Sequence, residues 1–182
     1  MKPFKEDVLV CDFEITEFDI DKGEPIQVGL ILLDKETLKQ KWSYSSWIKP
    51  SQAVSVQMEG LRWASLDEKD IEEINKAPDL GIVAKEIIKD LPEKYILCAW
   101  NATFDYCNWN KLLKTVGMKA KTANILDLWS LAQLRLLNDK NYNGDYKSES
   151  VFQYLGADPR IKHYGIGDCE IEAMVLRKLM TE

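Results

Sequence analysis

His163 is the only histidine in the chain, and it stands five residues before Asp168. Upstream lie an Asp12-Phe13-Glu14 triplet and the run Asn101-Ala102-Thr103-Phe104-Asp105. One imidazole and four carboxylates form a set sufficient for metal-assisted phosphodiester hydrolysis, because acids hold divalent cations and a base takes the proton of an attacking water. The spacing of His163 and Asp168 alone carries no such meaning, and an isolated Asp-x-Glu is usually a solvated strand end. These residues gain weight from the elements that must carry them.

Val8 to Cys11 is a continuous apolar run that reads as a buried strand leading into the triplet. Strand side chains alternate, so Val8, Val10, Asp12 and Glu14 share one face while Leu9, Cys11 and Phe13 share the other. Two carboxylates side by side at the end of a core strand repel each other and lose hydration, which a divalent cation or an added proton would compensate. Tyr95 to Trp100 reads as a second short buried strand, followed by a helix with Thr103 as its expected N-cap. Along that helix Asp105, Trp109, Leu112, Leu113 and Val116 form one stripe headed by the acid. An isolated first-turn acid would only favour the helix dipole. The pattern recurs at the C-terminal end, where Asp168 leads Ile171, Val175 and Leu179. His163 falls roughly 140° from Asp168 on a helical wheel and is therefore expected in the preceding loop. Gly165 and Gly167 are expected to let that loop turn close to the site.

Taken together, these segments resemble the DnaQ-like 3′–5′ exonucleases of the DEDDh group, within the RNase H-like superfamily. Asp12-Phe13-Glu14-Ile15-Thr16 is similar to the first motif, Asn101-x-x-Phe104-Asp105 to the second and His163-x4-Asp168 to the third. Asn124 to Ala132 resembles the strand-to-helix segment between the last two, so the likeness runs from about residue 7 to 180. Three departures stand out: Glu17 where many members carry Gly, Trp100 where His is frequent before Asn101, and Gly165 in place of a common Ala. None removes a metal-binding or base residue.

The resemblance implies an α/β RNase H-like fold, with a central mixed five-stranded sheet of antiparallel meander plus parallel strands, flanked by helices. It also implies two divalent ions, Mg²⁺ or Mn²⁺, in keeping with the hard-cation preference of carboxylates. Asp12, Glu14 and Asp168 would hold one ion, and Asp12 and Asp105 the other. His163 would be the general base, a task suited to imidazole. Thr16, Phe18, Asn101 and Phe104 would border the nucleotide, with Phe18 against the terminal base. The implied reaction removes nucleoside 5′-monophosphates from the 3′ end of single-stranded nucleic acid. The wording of the first and third motifs leans toward RNA. A DNA proofreading or repair exonuclease and a catalytically idle binding module are the alternatives.

Composition agrees. The chain has 182 residues, 46% of them hydrophobic, a size expected of one domain spanning 1–182 with a sizeable core. No window approaches the roughly 18 apolar residues of a membrane span, and the polar start does not read as a secretory signal, so a cytoplasmic location is expected. Cys11, Cys98, Cys107 and Cys169 lack metal-site spacing and are expected as reduced thiols near the site. The net charge of −6 argues against a broad phosphate-binding surface. Lys111, Lys114, Lys119 and Lys121 form the densest basic patch and are expected to coat a solvated helix end.

Strands are expected over Ile26 to Leu33 and Lys41 to Ile48, reversing at Asp34-Lys35-Glu36-Thr37, and over Ala123 to Leu126. Ser65-Leu66-Asp67-Glu68 offers a capping box, and Leu80 to Leu91 reads as a helix after Pro78. Leu137 to Ser148, rich in Asn, Asp, Lys and Gly, is the expected loop.

Overall fold

The computed structural model describes residues 4–120 and 124–181. Strands β1 (Val8–Ile15), β2 (Pro25–Leu33) and β3 (Gln40–Trp47) come first. Helices α1 (Glu59–Trp63), α2 (Glu68–Lys76) and α3 (Leu80–Asp90) precede β4 (Ile96–Ala99), α4 (Ala102–Lys114) and β5 (Asn124–Asp127). The chain then continues through α5 (Leu128–Leu136), α6 (Ser148–Tyr154) and α7 (Gly165–Thr181). The sheet has five strands in the order β3-β2-β1-β4-β5, with β1–β2 and β2–β3 antiparallel and β1–β4 and β4–β5 parallel. The expected mixed sheet is therefore present, and the meander bounds hold to within a residue or so.

The alternation of β1 divides the core. Leu9, Cys11 and Phe13 pack with Val83, Ile87, Trp109 and Leu112 of α3 and α4. On the opposite face Val8 and Val10 meet Leu128 of α5 and Cys169, Ala173 and Leu176 of α7. Covered on both faces, β2 is buried at every position, which is why it reads as an apolar run broken only by Gln27.

Several local expectations need correction. The capping box lies two residues later than read: Asp67 accepts from the amides of Lys69 and Asp70, and the Asp70 carboxylate answers the Asp67 amide, while Ser65 sits in a left-handed turn at φ 58°. Asn101, not Thr103, is the N-cap of α4; its φ of 60° turns the chain straight out of β4 into the helix. Asp127 takes the Ala102 amide at 2.9 Å, and its other oxygen caps α5 through Ser130. Val116 lies beyond the end of α4, though it still packs on the core. Gly165 and Gly167 belong to the first turn of α7, not to the loop before it. Ala123, the expected start of β5, lies outside the described residues. Leu137 to Lys147 is irregular as expected, with Tyr142 against Tyr146 and Tyr154.

The thiols are free, and burial pushes those of Cys11, Cys98 and Cys169 well above their ordinary pKa. Lys111 donates to the carbonyls of Ile20 and Gly23, a structural task, and Lys114 and Lys119 are exposed. Lys121 lies outside the described residues. Among the described residues no helix is long and apolar enough to cross a membrane.

Candidate active site

Register in the sheet decides where the carboxylates meet. Asp12 pairs with Gly29 and Glu14 with Gln27 across β1 and β2, so these four side-chain positions share one face. Gly29 leaves that face bare beside Asp12, and the start of α7 fills the space. A Cβ built on Gly29 would lie 2.0 Å from the Gly165 carbonyl carbon, and one on Gly165 would lie 2.6 Å from the Gly29 nitrogen. This mutual approach leaves no room for a side chain at Gly165. Gln27 completes the seat by accepting the Gly165 amide at 2.7 Å. Asp168, in the first turn of α7, is thereby brought to the two acids of β1.

Asp105 arrives from the opposite side. β4 stops pairing with β1 at Val10, leaving the next strand amides on that edge without a ladder partner. The Asp105 carboxylate accepts the Phe13 amide at 3.0 Å and so ties α4 to the end of β1.

His163 is in the loop before α7, as expected, and that loop is pinned on both sides of it. Lys162 pairs with Asp67 and Asp70 at 2.7 and 2.9 Å, and the Tyr164 hydroxyl donates to Asp70. The His163 amide donates to the Ala64 carbonyl, and its ring stacks on Trp63 at 5.7 Å between centroids. Its Nδ1 lies 3.0 Å from Asp168 Oδ2. If Nδ1 donates there, Nε2 is the basic nitrogen.

These groups line a cavity of about 310 Å³ that also holds Phe18, Asn101 and Phe104. Phe18 is 40% exposed and meets Trp63 and Phe104 edge to face. Thr16 is placed behind the cavity: its hydroxyl accepts the Glu24 amide, and it is absent from the lining.

Two charged lining residues are not among those expected from the sequence. Arg160, with its side chain only 10% exposed, donates to Asp168 Oδ1 at 2.8 Å and to Glu149 at 3.1 Å. Glu172, one helical turn beyond Asp168, is 2% exposed; its Oε1 accepts the Trp100 amide at 3.1 Å and its Oε2 has no partner. A signal for Glu172 was present in the sequence, since an acid four residues after Asp168 falls on the same buried helix face. Arg160 gave none, because its position in a loop has no periodicity.

The cavity thus gathers five carboxylates, from Asp12, Glu14, Asp105, Asp168 and Glu172, around one guanidinium. Burial, followed by repulsion from neighbouring acids, raises Asp12, Glu14, Asp105 and Glu172 well above the usual carboxylate range. Asp12 Oδ2 is also buried without a hydrogen-bond partner. Ligand atoms of Glu14, His163 and Asp168 lie within 4.8 Å of one another. An orphaned buried oxygen beside converging hard oxygen donors fits a divalent cation, which would supply the positive charge this cavity lacks.

The exonuclease family RNase_T matches residues 9–176. A search of curated proteins finds no match for the chain. Among solved structures, the nuclease domain of 3′hExo, a DEDDh family member bound to rAMP, is similar with a TM-score of 0.74 at 16% identity, covering 99% of this chain and 94% of that one. E. coli exonuclease I in complex with a dT13 oligonucleotide gives 0.75 at 15% identity, over 97% of this chain and 41% of that one. A 3′-exonuclease recognising the histone mRNA stem-loop gives 0.72 at 15%, with this chain spanning 65% of its length. With that match along nearly the whole described chain, the chain belongs to the RNase_T exonuclease family, and it shares the fold of these nucleases.

Proposed function

We propose that this chain hydrolyses single-stranded nucleic acid, preferentially RNA, from the 3′ end to nucleoside 5′-monophosphates, with two divalent ions and His163 as general base. The observation that carries the reading is the convergence of Glu14, His163 and Asp168 around a cavity in which a buried Asp12 oxygen lacks a partner. Asp12, Glu14 and Asp168 would hold one Mg²⁺ or Mn²⁺, and Asp12 with Asp105 the other. When bound, the cations neutralise the phosphate and lower the pKa of water. The chain's own residues do the rest. His163 takes the water's proton at Nε2 while Asp168 orients the ring through Nδ1. Asn101, Phe104 and Phe18 border the terminal nucleotide, and the aromatic rings offer faces for a base of any identity. Reading 1–182 as one self-sufficient catalytic domain belongs to the same proposal.

An active enzyme is favoured over an idle binding module because desolvated, mutually repelling acids cost stability that a binding surface does not require. The similar proteins include one recognising an mRNA stem-loop and one bound to dT13, so the test must span both polymers. Single-stranded RNA and DNA labelled at either end are incubated with Mg²⁺, Mn²⁺ or EDTA. The expected result is stepwise shortening from the 3′ end with 5′-monophosphate release, faster on RNA, abolished by EDTA and blocked by a 3′ phosphate. Release of internal fragments, or activity in EDTA, would sink the proposal.

A further inference from the structure

Beside the acidic cavity lies a second concavity of about 740 Å³, to which the reaction above gives no task. Trp63, Trp100, Asn101 and Ser148 line both, so the two adjoin. The second is walled further by Trp129 and Tyr146. Its indoles are open to solvent, Trp63 at 59% and Trp129 at 44% exposed. Trp129 is nevertheless fixed in orientation, because its Nε1 donates to the Tyr146 carbonyl at 3.0 Å. Trp63 stacks on His163 and meets Phe18 edge to face, yet more than half of it stays open to solvent. The acids of this region are committed within the fold, Asp145 to the Ser150 hydroxyl and Glu149 to Arg160, while Lys147 is exposed at the rim.

We propose that this groove is a stacking subsite for the nucleotides on the 5′ side of the scissile bond of a single-stranded substrate. Bases lie on Trp129 and against the exposed part of Trp63, and the intervening phosphates are drawn to Lys147. The inference rests on the exonuclease reading and deepens it. A net charge of −6 argues against holding a strand mainly by neutralising many phosphates away from the acidic cavity, which favours stacking as the source of affinity there. Solvent-facing indoles on a groove that adjoins the acidic cavity supply it, and they tolerate any base sequence.

The test compares wild type with Trp129→Ala and Trp129→Phe on a nitrophenyl ester of thymidine 5′-monophosphate, which has no 5′ neighbours, and on a dinucleotide and an octanucleotide. Stacking predicts that Trp129→Ala raises KM for the octanucleotide roughly tenfold, leaves the ester unchanged, and is largely rescued by Phe. Anisotropy of a labelled octanucleotide with a phosphorothioate terminal linkage reads binding without turnover, and its Kd is expected to weaken by a similar factor, about tenfold, in the Ala variant. If no substrate is hydrolysed yet the Trp129-dependent Kd is seen, the exonuclease reading fails and the groove stands. Equal KM and Kd for wild type and Trp129→Ala overturn the groove and leave its indoles to another class of partner, such as an apolar peptide.

Discussion

Replacing Glu172 by Gln isolates the electrostatic strain in the cavity. Glu172 Oε1 holds the Trp100 amide and Oε2 is buried without a partner, so the amide keeps the structural acceptor and removes the charge. Burial first, then repulsion from Asp12 and Asp105, raises the Glu172 carboxyl well above its ordinary range, and burial does the same to Asp12, Glu14 and Asp105. A carboxyl whose folded pKa exceeds its unfolded one binds more protons when folded, so stability falls as pH rises between the two values. Metal-free protein is therefore expected to melt higher near pH 5 than near pH 8, on the order of the interval over which such raised acids ionise. Exposed acids with lowered pKa, such as Asp67 at about 2, act with the opposite sign, and their contribution lies below that window. A buried unpartnered group costs about 1–3 kcal/mol, more when charged; the Gln NH2 still occupies the place of Oε2, so the gain expected is the charge part of that cost, of the same order. At about 2–4 °C per kcal/mol for a chain of this size, Glu172→Gln is expected to raise the melting temperature in EDTA by roughly 2–12 °C at pH 8 and by less at pH 5. Thermal melts by circular dichroism measure it. A variant that melts lower at pH 8, or a wild type whose metal-free stability climbs from pH 5 to 8, would show that these acids are satisfied structural groups and refute the strain argument.

Asp12→Ala is expected to abolish turnover while leaving a folded chain, and to remove the stabilisation by Mg²⁺ or Mn²⁺ that in wild type amounts to about 2.7 kcal/mol at a hundredfold excess over Kd; melting curves with and without metal check both. His163→Ala is expected to lose about 10²–10⁴-fold in kcat yet keep the metal-induced rise in melting temperature, and exogenous imidazole should restore part of the rate. A near-normal rate would return His163 to a structural loop role. Arg160→Met leaves Asp168 Oδ1 without its partner, and losing one side of such a buried pair costs about 3–5 kcal/mol, read as a lower metal-free melting temperature that metal restores more fully than in wild type. Unchanged metal-free stability would mean that the ion pair is balanced by other charges.

The framework of the site was legible because its acids head regular elements. Asp12 and Glu14 follow from strand alternation, and Asp105 and Asp168 from helical stripes, so period alone placed four carboxylates on buried faces. Residues that act through loops were not legible. Arg160, Lys162 and Tyr164 pin the histidine loop through partners up to 95 positions away in sequence, and no local pattern encodes such pairs. The helix starts were misread for a related reason: a left-handed Asn101 and an acid borrowed from β5 cap α4, so the expected hydroxyl of Thr103 was not needed. Gly165 reads as a residue that lets the loop turn, whereas what matters is the absence of its side chain against Gly29, a contact between positions 136 residues apart that only the strand register reveals.

That contact also shows how fold and chemistry are joined. The glycine pair and the Gln27 bond press α7 onto the face of β2 beside Asp12 and Glu14, while the Phe13 amide holds Asp105 from the other side. Repulsion among the acids pushes these elements apart, and the surrounding core opposes it through the packed faces of α4 and α7. The single guanidinium of Arg160 offsets only part of the charge, and it does so by occupying an Asp168 oxygen that a metal would otherwise use. A cation held by Asp168, as proposed, would therefore compete with Arg160 for one carboxylate, and the stronger that ion pair, the weaker the cation's hold would be.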